Sequence, residues 1–93
     1  MSRYVTLIRF TDQGARAMKK SAARALAFDK VAEKAGVKVE SQLWTAGSFD
    51  GLLVLSGDEN KIQRCLAGLV ALGNVRTESL RAFDAAEFNA LVG

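Results

Sequence analysis

Leu43-Trp44-Thr45-Ala46-Gly47-Ser48-Phe49-Asp50-Gly51-Leu52-Leu53-Val54-Leu55 sets two apolar runs on either side of a short loop. Gly47 and Gly51 bracket that loop, so the stretch reads as a β-hairpin with Phe49 and Asp50 held at its tip. Its arms are expected over Val37–Ala46 and Leu52–Ser56. Val37, Val39, Ser41, Leu43 and Thr45 fall on one face of the first arm, and Lys38, Glu40, Gln42 and Trp44 on the other. A register that sets Ala46 opposite Gly51 brings Leu43 opposite Val54.

The hairpin is flanked by two β–α units. Arg3–Phe10 is rich in β-branched and aromatic residues and reads as a strand. Val5 and Leu7 point one way, and Tyr4, Thr6, Ile8 and Phe10 the other. Both faces are apolar, which predicts a central strand. Thr11–Gly14 is a loop or a short helix start, and helix formers run from about Ala15 to Ala35. Phe28, Val31, Ala32 and Ala35 form an apolar stripe extended by Met18, Ala22 and Ala25. Ser21 marks a second start or a kink, and Gly36 sits where a cap glycine belongs. After the hairpin, Asp58 is a candidate N-cap for a helix over Glu59–Leu72, with Ile62, Cys65, Leu66, Leu69 and Val70 at helical spacing. Gly73-Asn74 stops it. Val75–Phe83 carries Arg76, Glu78 and Arg81 and suits an edge strand. Asp84-Ala85-Ala86-Glu87 is a capping box, after which Phe88, Leu91 and Val92 give a short terminal helix an apolar side.

The order β-α-β-β-α-β predicts an α+β fold: a ferredoxin-like sandwich, residues 1–93 as one domain, with two helices on one face of a four-stranded antiparallel sheet and a short C-terminal helix. Two helices cover one face only. Ile8, Phe10, Leu53 and Leu55 oppose Val5, Leu7, Leu52 and Val54, so the other face is apolar as well. A second copy packed sheet against sheet, as a homodimer or higher homo-oligomer, is the expected cover.

Composition narrows the chemistry. The 93 residues carry no histidine and one cysteine, Cys65. His-based acid/base catalysis, His-activated nucleophiles and most transition-metal sites fall away, and no intrachain disulfide can form. Cys65 lies in an apolar helical pattern and reads as a buried, inert thiol. Net charge is +3 with a pI of about 9.4, but the charges alternate in sign. The densest basic cluster, Arg16, Lys19, Lys20 and Arg24, reads as a solvated helix face, and nucleic acid is not an expected partner. RNA-recognition motifs share the strand order, but need exposed aromatics on both middle strands, and Leu52–Ser56 has none. No apolar run approaches the roughly 18 residues of a membrane span, and the N-terminus runs into a strand rather than a signal peptide. A cytoplasmic protein with no membrane partner is expected.

The segments Arg3–Gly14, Ala32–Lys38, Leu43–Gly47 with Phe49-Asp50, and Leu72–Phe83 together resemble the GYD-domain family, small bacterial proteins named for a Gly, Tyr, Asp motif. The resemblance covers nearly the whole chain. It implies membership of the dimeric α/β-barrel superfamily, which includes cofactor-independent monooxygenases, isomerases, haem enzymes and ligand-binding regulators. This chain departs from the motif at Phe49, where the family has tyrosine, while Gly47 and Asp50 remain. Any work of a phenol oxygen is missing here, whereas a purely packing role for the ring is kept.

Asp50 is the leading candidate for a functional side chain, against a role in turn chemistry. Trp44 is expected to line a pocket or to anchor the subunit interface. Arg9, Arg76, Glu78 and Arg81 are charges within strands, expected as cross-strand ion pairs at an edge or interface or, for an inward-facing and paired Arg9 or Glu78, as part of a site. Tyr4 is expected to pack, and Asn74 to cap. The expected function is a homo-oligomeric small-molecule-binding or structural module, with Asp50, Trp44 and Arg9 as candidate ligand contacts and no cofactor or metal. The alternative is a cofactor-independent monooxygenase- or isomerase-type enzyme built on the same three side chains. In either case Gly47, Asp50 and Gly51 shape the turn.

Overall fold

A computed structural model describes residues 1–93. The chain runs β1 (Ser2–Phe10), α1 (Asp12–Arg16), a 3₁₀ turn (Met18–Lys20), α2 (Ser21–Ala35), β2 (Lys38–Trp44), β3 (Gly51–Gly57), α3 (Glu59–Ala71), β4 (Val75–Ala82) and α4 (Ala85–Val92). The strands form one sheet in the order β2-β3-β1-β4, antiparallel throughout. This is the expected ferredoxin-like arrangement, with β1 central and β4 at an edge.

Local chemistry sets most boundaries. Thr11 caps α1 by accepting the Gly14 amide on its hydroxyl. The helical stretch breaks at Met18–Lys20 and restarts at Ser21. Gly36, in the left-handed conformation, closes α2. Asp58 accepts the Lys61 amide at 3.1 Å to start α3. Asp84 and Glu87 form the reciprocal capping box of α4.

The core lies between the sheet and α2/α3. Tyr4, Phe28, Ala32, Val37, Leu53, Leu55, Ile62, Cys65 and Leu66 form one buried cluster. Burial pushes the Cys65 thiol up, in keeping with an inert residue. Buried Thr6 is satisfied across the β1–β4 ladder by the Ser79 hydroxyl at 2.9 Å. Tyr4 donates its hydroxyl to Glu59 at the start of α3, and that bond raises the phenol pKa above its ordinary value. Met18 and Val31 leave the expected apolar stripe, each 55 % exposed: Met18 falls in the 3₁₀ turn before α2, and only the Phe28–Ala32 line of α2 is buried.

The hairpin differs from its sequence reading in one respect. Trp44 pairs with Gly51 and Leu43 with Leu52, two residues from the expected register, and the β2–β3 register shifts between Val39 and Ser41. The irregularity flips the alternation of β2. Val39 opposes Leu55 and packs on the core, whereas Leu43 opposes Leu52 and stands on the far face.

That far face carries no helix layer. Val5, Leu7, Leu52 and Val54 lie there half-buried, flanked by Leu43 and Leu80, which are 57 % and 48 % exposed. α4 buries none of its residues and leaves Phe88, Leu91 and Val92 exposed. Its first turn is tied to the sheet through Arg3, which bridges Glu87 at 3.0 Å and Glu40 at 3.3 Å. The expected ion pairs within the strands do not form. Arg9 stands opposite Arg76, and Arg81 lies over the rings of Tyr4 and Phe83. The pairing role passes to Arg3, because Glu40 at the bulge and Glu87 on α4 converge on it. No helix is long and apolar enough to cross a membrane.

Candidate functional site

At the Phe10 end of β1 the helix layer and the sheet diverge and leave a cleft of about 70 Å³. Ile8, Phe28, Leu53, Leu69 and Val75 make its apolar walls. A small set of polar groups converges on them: Ser21, Arg24, Gln42, Trp44, Asp50 and Asn74. Arg24 and Asp50 are the only ionisable side chains in the lining. An apolar concavity with a few convergent polar groups is the usual form of a small-molecule site.

The hairpin loop builds one end. The Thr45 amide donates to the Asp50 carbonyl at 3.0 Å, and the Thr45 hydroxyl donates to the Phe49 carbonyl at 2.6 Å. Asp50 then docks on β1 twice. Its amide donates to the Ile8 carbonyl at 2.8 Å, and its Oδ2 accepts the Phe10 amide at 2.8 Å. The second bond occupies one carboxylate oxygen, and Oδ1 makes no hydrogen bond within the protein. Gly51 is a glycine for want of room: a Cβ there would lie 2.9 Å from the Leu43 carbonyl oxygen across the hairpin. Gly47 turns the chain at φ +144°, where side-chain-bearing residues are strained. Phe49 packs under the Arg9 guanidinium, 4.4 Å from the ring centroid, while Arg9 Nε donates to the Ser48 carbonyl at 3.1 Å.

Trp44 stands on the helix side of β2, at the cleft, and its Nε1 donates to the Ser21 hydroxyl at 2.9 Å. It is therefore a pocket residue rather than an anchor on the open sheet face. Gln42, two residues earlier on the same side, donates to Asp29 at 2.9 Å. These two bonds stitch edge strand β2 to α2.

Arg24 does not lie on the solvated helix face expected for it with Arg16, Lys19 and Lys20. It is half-buried, and Nη1 donates to the Ala17 carbonyl at 2.9 Å, with Nη2 3.5 Å from the Gly14 carbonyl. No carboxylate pairs with it: the chain's two salt bridges both belong to Arg3. The signal was present in the sequence, since Arg24 lies one turn before Phe28 and two before Ala32 on the buried line of α2. Asn74 does more than stop a helix. Its carbonyl accepts the Thr11 amide at 3.1 Å, and its side chain accepts Gln13 at 3.0 Å, docking α1 on the turn before β4. Gly14 permits that contact, because a Cβ there would lie 2.0 Å from the Asn74 carbonyl oxygen.

Two of the three candidate ligand contacts, Asp50 and Trp44, thus share one cleft. Arg9 is apart from them, on the open face of the sheet, where it holds the hairpin loop. No three His, Cys, Asp or Glu side chains gather in a metal-binding cluster.

A search of curated proteins gave no match. The GYD domain matches residues 4–92, which is essentially the whole chain. The strand order, the two-helix layer and the Gly47–Gly51 loop are therefore those of a protein that belongs to the GYD-domain family.

Proposed function

We propose that this GYD-family protein is a homodimeric small-molecule-binding module whose ligand occupies the cleft between the sheet and α2/α3. The observation that carries the reading is the convergence of Arg24, Asp50 and Trp44 on an otherwise apolar concavity. Binding is favoured over catalysis by the state of the single acid in the lining. Asp50 already spends one oxygen on the Phe10 amide, and the other ionisable group in the lining, the Arg24 guanidinium, does not give up its proton to act as a base.

The dimer is supported by surface area. The chain exposes 6175 Å², against roughly 5,200 Å² for a compact monomer of its mass. The excess of roughly 1,000 Å² is of the order that each partner of a standard interface contributes. Apolar groups are exposed where the sheet lacks a second layer, at Leu43 and Leu80, and on α4 at Phe88, Leu91 and Val92. A second copy suits this surface because its apolar centre, Val5, Leu7, Leu52 and Val54, would meet the same groups.

Trp44 is the only tryptophan, so its fluorescence reports on the cleft alone. Titration of the protein with a library of small organic compounds, followed by Trp44 emission and by amide shifts in two-dimensional NMR, tests the binding reading. Ligands that perturb Trp44, Phe28 and Leu53 together support it. A library that moves none of these resonances counts against it. Light scattering after size exclusion tests the dimer: a mass near twice 10.0 kDa is expected, and 10.0 kDa would overturn it.

A further inference from the structure

The two charges in the cleft lining are not equivalent. Asp50 is tied to the Phe10 amide. Arg24 is a half-buried guanidinium that meets only two backbone carbonyls, at 2.9 and 3.5 Å. A guanidinium has five N–H donors, so Arg24 has donors to spare and no counter-charge within the protein. Partly desolvated cations are ordinarily paired, because burial without a partner raises their free energy. Nearby exposed cations, Arg16, Lys19 and Lys20, add positive potential along the same stretch. Arg24 shares the cleft lining with the apolar walls of Phe28, Leu53 and Leu69.

From this geometry we infer that the ligand is a small organic carboxylate, its anionic head on Arg24 and its apolar body between Phe28, Leu53 and Leu69. The inference rests on the binding reading above and gives it a ligand class. Size follows from the cleft. An enclosed cavity of ~150 Å³ holds benzene, so a cleft of about 70 Å³ is too small for a ring within its walls and admits a short aliphatic body with its head at the mouth. The head is assigned to Arg24 because Asp50, the other charge in the lining, repels a carboxylate. Arg24 also closes the end of α1 through Ala17, and that structural role alone would not discriminate an anion from its neutral analogue.

The test uses matched pairs: propionate, butyrate and isovalerate, each against its primary amide, titrated into the protein and read by Trp44 fluorescence and NMR. Carboxylates should bind about tenfold or more tighter than the amides, as expected for charge-assisted hydrogen bonds. That preference should weaken with added salt. It should disappear in Arg24→Gln and survive in part in Arg24→Lys. Should Arg24→Gln fail to fold, the wild-type acid/amide ratio and its salt dependence decide alone. Equal binding of acids and amides would overturn the carboxylate inference and leave the cleft as a neutral binding site. Binding of neither class would remove the carboxylate inference, while perturbation of the cleft by other library compounds would still uphold the binding reading.

Discussion

Asp50 Oδ2 accepts the amide of Phe10 at 2.8 Å, a contact spanning 40 residues of chain. With the reciprocal bond from the Asp50 amide to the Ile8 carbonyl, it carries the β1–β3 ladder one step past its last strand pair and fixes the hairpin loop over the cleft. Asp50→Ala leaves the Phe10 amide without its acceptor and should cost about 1–3 kcal/mol. Asp50→Asn keeps a carbonyl oxygen for that amide and should cost less. Urea denaturation of the three proteins measures both. Equal stability of wild type and Asp50→Ala would show that water replaces the carboxylate without loss.

The Phe49 ring lies 4.4 Å below the Arg9 guanidinium. The cation meets the ring face, so a hydroxyl on the ring edge is not needed for the contact. Phe49→Tyr should change stability little, whereas Phe49→Leu should lose about 0.5–1 kcal/mol of cation–π attraction. Thermal melts of both variants, with Arg9→Ala as the other leg of a double-mutant cycle, would detect the coupling.

Gly14 faces the Asn74 carbonyl so closely that a Cβ would lie 2.0 Å from the oxygen. Gly14→Ala must therefore push α1 away from the turn before β4 and break the Thr11–Asn74 bond. A loss of about 1–3 kcal/mol is expected, read as a melting temperature lower by roughly 4–8 °C for each kcal/mol. Because Arg24 reaches the carbonyl of the same glycine, Trp44 emission should shift in this variant as well.

Arg3 joins Glu40 and Glu87, linking β1, the β2 bulge and α4. The Ser56 hydroxyl, and then Arg3, hold the Glu40 carboxyl below its ordinary pKa. The native state therefore binds fewer protons than the unfolded chain between that lowered value and the ordinary one. The stabilisation is complete above the ordinary carboxylate pKa and is lost as pH falls through the native value. Denaturation midpoints should fall on acidification across this window, and Glu40→Gln should flatten the slope. Fraying of α4 at acid pH, seen as loss of amide protection in residues 85–92, should accompany it.

Leu80 and Val54 flank Val5 on the open sheet face. If a second copy covers this face, Leu80→Lys or Val54→Lys should convert a dimer to a monomer in light scattering, because a desolvated lysine would oppose its own copy across the two-fold. A mass unchanged by both substitutions would move the interface elsewhere.

The features legible in the sequence are those decided within a few residues of chain. Asp58, the Asp84–Glu87 box and Gly36 end helices through contacts three to five residues away, and all three act as expected. Strand β1 has two apolar faces in its own letters, and the β-α-β-β-α-β order leaves few topologies open. Tertiary structure decided which way the charged and aromatic side chains point. The register shift near Glu40 reverses the alternation of β2, so Leu43 goes to the open face while Val39 joins the core, and no local signal marks it. Trp44 faces the cleft because its pairing with Gly51 puts it on the same side of the sheet as Gln42, opposite buried Leu53. Arg9 faces away because β1 alternates from buried Tyr4 and Thr6. Arg24 looks like one of four solvated cations until α2 is laid on the sheet along the Phe28–Ala32 line. Short-range geometry follows from the neighbouring residues, whereas the environment of a side chain depends on which distant element is folded against it.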